Sequence, residues 1–125
     1  MRFLSMVRIT ENSGMVPSER LITDMGKLIE EMTRAGTLVG TAGLRPTSEG
    51  VRARISRGKL STTDGPFTET KEVIGGYAIL EARSKEEAVE LAKRFLLIHG
   101  EEWDIECEVR QLDAPDCEAA RNAAA

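Results

Sequence analysis

Between Thr63 and Gly76 the chain reads Thr-Asp-Gly-Pro-Phe-Thr-Glu-Thr-Lys-Glu-Val-Ile-Gly-Gly. That is more ionisable chemistry than a change of direction requires. Asp64, Glu69 and Glu72 flank Lys71, and carboxylates beside an ammonium separate in pKa and share proton-transfer work when a cleft removes their water. Arg52, upstream, is a candidate anion clamp on the same region, although charged residues on a strand usually face solvent. The single histidine, His99, follows a helical run. There it either compensates the helix dipole or acts as a general base, and Trp103 is placed to wall a small cavity beside it.

The same residues also make a good turn. Asp accepts backbone N–H bonds, Gly takes conformations closed to other residues and Pro fixes φ, so Asp64-Gly65-Pro66 reads as a turn as well as a site carboxylate. Gly75 and Gly76 either permit a β-bulge or let a ligand approach the backbone. Phe67 is expected to plug the core. Asp64, Glu69, Glu72 and His99 follow no metal-ligand spacing, and no metal or other cofactor is expected.

Other reaction classes lack their usual equipment. The sequence has no GxSxG element, phosphate loop or dinucleotide fingerprint. Cys107 alternates into a strand as a small inward residue, Cys117 lies in the tail, and neither forms a CxxC pair. With 125 residues, 41% hydrophobic and 30% charged, the chain suits one globular domain, here residues 1–112, followed by a loosely held tail at 113–125. The formal charge of −4 and only 4% aromatic residues argue against a nucleic-acid partner. No apolar run has membrane-spanning length and the N-terminus lacks a secretory core, so the expected compartment is the cytoplasm.

The elements that must position these residues are legible in the hydrophobic spacing. Phe3–Thr10 reads as a buried strand. Ser18 is an N-cap for a helix whose stripe is Leu21, Ile22, Met25, Leu28, Ile29 and Met32, ending at Gly36. Thr37–Leu44 reads as a glycine-containing strand, and Val51–Ser56 and Leu60–Thr63 as a hairpin turning at Arg57-Gly58-Lys59. Gly75–Arg83 is apolar on both faces, as a central strand would be. Ser84 and Glu87 form a capping box for a helix burying Ala88, Leu91, Ala92 and Phe95, and Ile105–Arg110 alternates as a last strand. The order is that of a ferredoxin-like α+β fold, a split βαβ sheet with an inserted hairpin. Two helices cover one sheet face, and the uncovered apolar face predicts a homodimer packed sheet face to sheet face.

Asp64-Gly65-Pro66-Phe67, extended by Thr68-Glu69-Thr70-Lys71-Glu72 and Gly75-Gly76-Tyr77, resembles the DGPF-containing branch of the YCII-related family. Ala35-Gly36-Thr37-Leu38, Val51-Arg52, Leu97 to Trp103 and Glu108-Val109-Arg110 are similar to it as well, so the resemblance spans nearly all of residues 1–112. It implies a ferredoxin-like α+β fold assembled as a dimeric α+β barrel, with activity largely unassigned. In the wider group a histidine and an aspartate in a cleft are the suspected catalytic pair. The resemblance puts Asp64 in the acidic role, while His99 matches a C-terminal motif of this branch and not the histidine position of the wider group. The expectation is therefore acid–base chemistry, lyase-like or hydrolase-like, on a small organic molecule in a cleft lined by residues 64–76. Asp64 and His99 are the catalytic candidates, and Arg52, Phe67, Lys71, Glu72, Gly75 and Gly76 contact the substrate. The competing reading is a non-catalytic module that binds a small ligand or braces the dimer.

Overall fold

The computed structural model describes residues 1–11, 14, 16–67 and 72–113. Lys71 and Glu69 of the candidate site, Cys117, and residues 114–125 of the expected tail lie outside the described residues. The chain runs β1 (Arg2–Ile9), α1 (Glu19–Arg34), β2 (Leu38–Gly43), a short 3-10 turn (Thr47–Glu49), β3 (Val51–Ser56), β4 (Lys59–Asp64), β5 (Val73–Glu81), α2 (Lys85–Leu97) and β6 (Glu106–Gln111). Four strands form an antiparallel sheet in the order β2-β5-β1-β6, and β3 and β4 pair with each other as a separate two-stranded sheet. This is the expected α+β arrangement with its inserted hairpin. No helix among the described residues is long and apolar enough to cross a membrane.

Local signals set the helix boundaries. The Ser18 hydroxyl accepts the Leu21 N–H at 3.1 Å, and Gly36 takes φ +78° just past the end of α1. Ser84 caps α2 by accepting the Glu87 N–H at 3.1 Å. The return arm of the capping box differs from expectation. The Glu87 carboxylate accepts from the Arg83 backbone N–H at 3.3 Å and from Arg83 Nε at 2.9 Å, because the guanidinium draws it one residue upstream. Ile22, expected in the buried stripe of α1, is 61% exposed, while Leu21, Leu28 and Met32 are buried.

Register explains where the core is filled and where it is not. Partners across an antiparallel sheet share a face, so Phe3, Leu80 and Leu38 form one row toward the helices. These three, with Leu28, Met32, Ala82 and Ala88, make the buried cluster. The next row is Ser5, Ala78 and Thr41, and the next Val7, Gly76 and Gly43. Side chains shrink along the sheet while the helices keep long ones, which leaves space between the layers. The opposite face carries Leu4, Met6, Tyr77 and Ile79, all half-buried and uncovered by either helix.

The hairpin turns through Arg57 at φ 51° and Gly58 at φ 79°, a two-residue loop with both centres in the left-handed region. That geometry matches the twist of paired strands. The loop is one residue shorter than the expected turn, because Lys59 pairs with Ser56.

Candidate functional site

The Asp-Gly-Pro-Phe segment ends β4 and closes the base of the hairpin. Asp64 pairs with Val51, and the Gly65 N–H donates to the Gly50 carbonyl at 2.9 Å. The Gly65–Pro66 bond is cis. Glycine is required at 65 by packing: a Cβ there would lie 1.7 Å from the Thr47 carbonyl oxygen. Thr47 is itself held by Glu11, whose carboxylate accepts its N–H at 2.8 Å and its hydroxyl at 2.5 Å. Those two bonds lower the Glu11 pKa below the ordinary carboxylate value.

Phe67 does not plug the core. It is half-buried at the hairpin base, with the Arg52 guanidinium 3.9 Å from its ring centre. A cation over an aromatic face accounts for the ring staying at the surface. Arg52 thus has a local partner besides any anion it would clamp. Asp64 is exposed, and its carboxylate accepts no hydrogen bond among the described residues.

Glu72, Gly75 and Gly76 lie elsewhere, at the start of β5. The β1–β5 register passes from Val7 opposite Gly76 to Arg8 opposite Ile74, so Gly75 is the extra residue of a β-bulge. A Cβ on Gly75 would meet Ile9 Cδ1 at 2.5 Å, and one on Gly76 would meet the Ala42 carbonyl oxygen at 3.0 Å. Both glycines are therefore explained by the bulge and by close backbone approach. Glu72 is paired with Arg8, at 3.5 Å, and Arg8 also reaches Glu108 at 3.5 Å.

Two cavities meet at this bulge. One, about 470 Å³, lies between the helices and the sheet. Ser5, Gly76 and Ala78 floor it, and Met25, Met32 and Phe95 roof it. Its size and mostly apolar lining are those of small-molecule sites, and methionines adapt readily to irregular ligands. Its polar fixtures are the Ser5 and Thr41 hydroxyls, the latter donating to the Tyr77 carbonyl at 2.9 Å. The second, about 520 Å³, is polar, with Glu11, Glu72, Glu102, Asp104, Arg45 and Trp103 among its walls. Ile9 and Gly75 line both.

His99 joins the two through its neighbours. It is buried, packs edge-on against Phe95 at 4.8 Å and against Trp103 at 5.6 Å, and each ring walls a different cavity. Its Nδ1 lies 2.9 Å from the Phe95 carbonyl. A carbonyl can only accept, so Nδ1 carries the proton and Nε2 is the basic nitrogen. Trp103 walls a cavity, as its position suggested.

The predicted residues thus fall into three places: Arg52, Asp64 and Phe67 at the hairpin base, Glu72, Gly75 and Gly76 on the cavity walls, and His99 buried behind Phe95 and Trp103 without lining either cavity. Asp64 lines neither cavity. Sequence reasoning missed Glu11, whose partner is 36 positions away, and the cavity floor, because Ser5 and Ala78 read as ordinary strand residues. Among the described residues no three His, Cys, Asp or Glu side chains gather as metal ligands. Cys107 is half-buried opposite Val7, and burial pushes its thiol pKa up against a hydrogen bond from Ser5.

The family model of the YCII-related domain matches residues 1–98. An uncharacterized protein of Rhizobium meliloti is 35% identical over 75 residues. That match covers 60% of this chain and 60% of the length of that relative. Among solved structures, CutA from Xylella fastidiosa aligns with 90% of this chain and 84% of its own, at 12% identity and a TM-score of 0.39.

Proposed function

Since the chain belongs to the YCII-related family, we propose that it binds a small, largely apolar organic molecule in the cavity between its helices and sheet. One observation carries this reading: the rows Ser5-Ala78-Thr41 and Val7-Gly76-Gly43 leave about 470 Å³ unfilled beside a core closed by Phe3 and Leu80. Cores otherwise pack as densely as organic crystals, and an unfilled space of this size forfeits contacts a ligand would restore. The test is Ala78→Leu, which builds into the space from the sheet side. A fluorescent naphthalene probe binds the wild type and loses affinity by about tenfold or more in the variant, while the variant keeps its fold. Equal affinity in the two proteins contradicts the reading.

A second reading, acid–base catalysis on that molecule, is favoured by His99. Its Nδ1–H is committed to Phe95, which orients the ring and leaves Nε2 as the basic nitrogen, with Phe95 and Trp103 standing between the imidazole and the two cavities they wall. Asp64 is the carboxylate that the family resemblance adds. Loss of turnover in Asp64→Asn and in His99→Gln, with ligand affinity kept, supports catalysis. Full turnover in both removes it and leaves the binding protein.

The protein is further proposed to be a homodimer through its helix-free face, where Leu4, Met6, Tyr77 and Ile79 lie together. Burying apolar surface contributes about 25 cal/mol per Å². Sedimentation of a monomer alone at micromolar concentration contradicts the dimer.

A further inference from the structure

The hairpin of β3 and β4 stands apart from the rest of the molecule. Every residue of both strands is exposed, and the hairpin belongs to a sheet of its own. A two-stranded hairpin is marginally stable in water unless a third strand or another surface covers it. Its register sorts its side chains by face. Val51, Ala53, Ile55, Leu60, Thr62 and Asp64 lie on one side, and Arg52, Arg54, Lys59, Ser61 and Thr63 lie with Ser56 on the other. On the first, Val51 is 59% exposed, Ile55 68% and Leu60 81%. Such an apolar patch on a projecting arm marks an interaction surface.

Charge points to the occupant. Residues 51–64 carry four cations against one acid, a net of +3, and the whole chain has a formal net charge of −4, so the remainder carries −7. A second copy of this chain therefore offers the arm a body of opposite sign. The polar cavity is an acidic place on that body: Glu11, Glu72, Glu102 and Asp104 line it against Arg45, and with Arg45 bound to Glu49 at 2.9 Å and Glu72 to Arg8 at 3.5 Å, Glu11, Glu102 and Asp104 carry its negative charge. From Val51 to the turn the arm extends roughly 17 Å at the rise of a β-strand, enough to cross onto a neighbour.

We propose that the hairpin is an exchange arm. Its Val51, Ile55 and Leu60 face packs on a second copy, and the tip residue Arg57 enters that copy's acidic cavity. Each polar cavity is then completed by a guanidinium from the other protomer. This is distinct from the contact of the helix-free sheet faces, which involves none of these residues.

Sedimentation velocity on the full chain tests it with substitutions at exposed positions that leave the fold alone. Ile55→Ser with Leu60→Ser raises the dimer dissociation constant about tenfold or more, as does Arg57→Asp, since aspartate tolerates the positive φ at that position. Asp104→Arg weakens the homodimer likewise, and mixing it with Arg57→Asp restores association as a heterodimer in which one arm contact is native and the other has its charges exchanged. A monomeric wild type overturns the proposal. So does wild-type association in all the arm variants. If Met6→Glu alone dissociates the dimer, the sheet-face contact stands and the arm does not; if the arm variants alone dissociate it, the reverse holds.

Discussion

The carbonyl oxygen of Thr47 occupies the space that a side chain at position 65 would need, so that a Cβ on Gly65 would lie 1.7 Å from it. Glu11 grips the same Thr47 from the other side through its N–H and hydroxyl. The hairpin base is thus pinned to the end of β1 through one threonine. Gly65→Ala forces backbone apart and is expected to destabilise by about 3 kcal/mol in chemical denaturation. Gly75→Ala meets only the Ile9 side chain, whose Cδ1 can swing away, and should cost about 1 kcal/mol. The reverse ranking would contradict this account of the signature.

Glu11 also makes a pH prediction. Its hydrogen bonds with Thr47 lower its pKa, so their contribution is complete above the unfolded carboxylate value and is lost as pH falls through the lowered folded value. Followed by NMR titration, Glu11 should protonate at lower pH than an unbonded glutamate, and exchange of the Thr47 amide should quicken over the same range. In Thr47→Ala, which keeps the backbone N–H but removes the hydroxyl, the Glu11 pKa should rise part of the way back.

The elements were legible because their signals are local. Ser18 and Ser84 cap helices, Gly36 ends one, and alternation marks β1 and β6, all within a few residues of the feature concerned. The candidate site was legible only in part. The pair Gly75 and Gly76 allowed a bulge, and Trp103 allowed a cavity wall. The reason Gly65 must be glycine lies in Thr47, however, and the hold on Thr47 lies in Glu11, a contact across 36 positions that no spacing rule encodes. The apolar cavity was hidden for the same reason, since it arises from small residues on three strands meeting in register. Ile22 shows the converse limit: helical spacing placed it in the buried stripe, but it is 61% exposed while Leu21, Leu28 and Met32 take the buried face.

Arg52 and Phe67 offer a test of whether the guanidinium serves the hairpin or an anion. The 3.9 Å stacking geometry predicts a coupling of about 0.5–1 kcal/mol in a double-mutant cycle of Arg52→Ala and Phe67→Leu. No coupling would assign Arg52 to its other contacts.

Cys107 should be a sluggish nucleophile, because burial raises its pKa and leaves little thiolate at neutral pH. In a Cys117→Ser background, modification by a disulfide reagent should be slower than for an exposed peptide thiol and should accelerate on denaturation. Ser5→Ala removes the hydrogen bond that opposes the shift and should slow it further.

A crystal structure under xenon pressure is the sharpest test of whether the space between the helices and the sheet is a ligand site. Apolar cavities of this kind take up xenon where filled cores do not. Xenon density bounded by Ala78, Met32 and Phe95 is expected in the wild type and none there in Ala78→Leu. A wild-type crystal in which Met25, Met32 and Phe95 close onto Ser5 and Gly76, with no xenon between them, would contradict it.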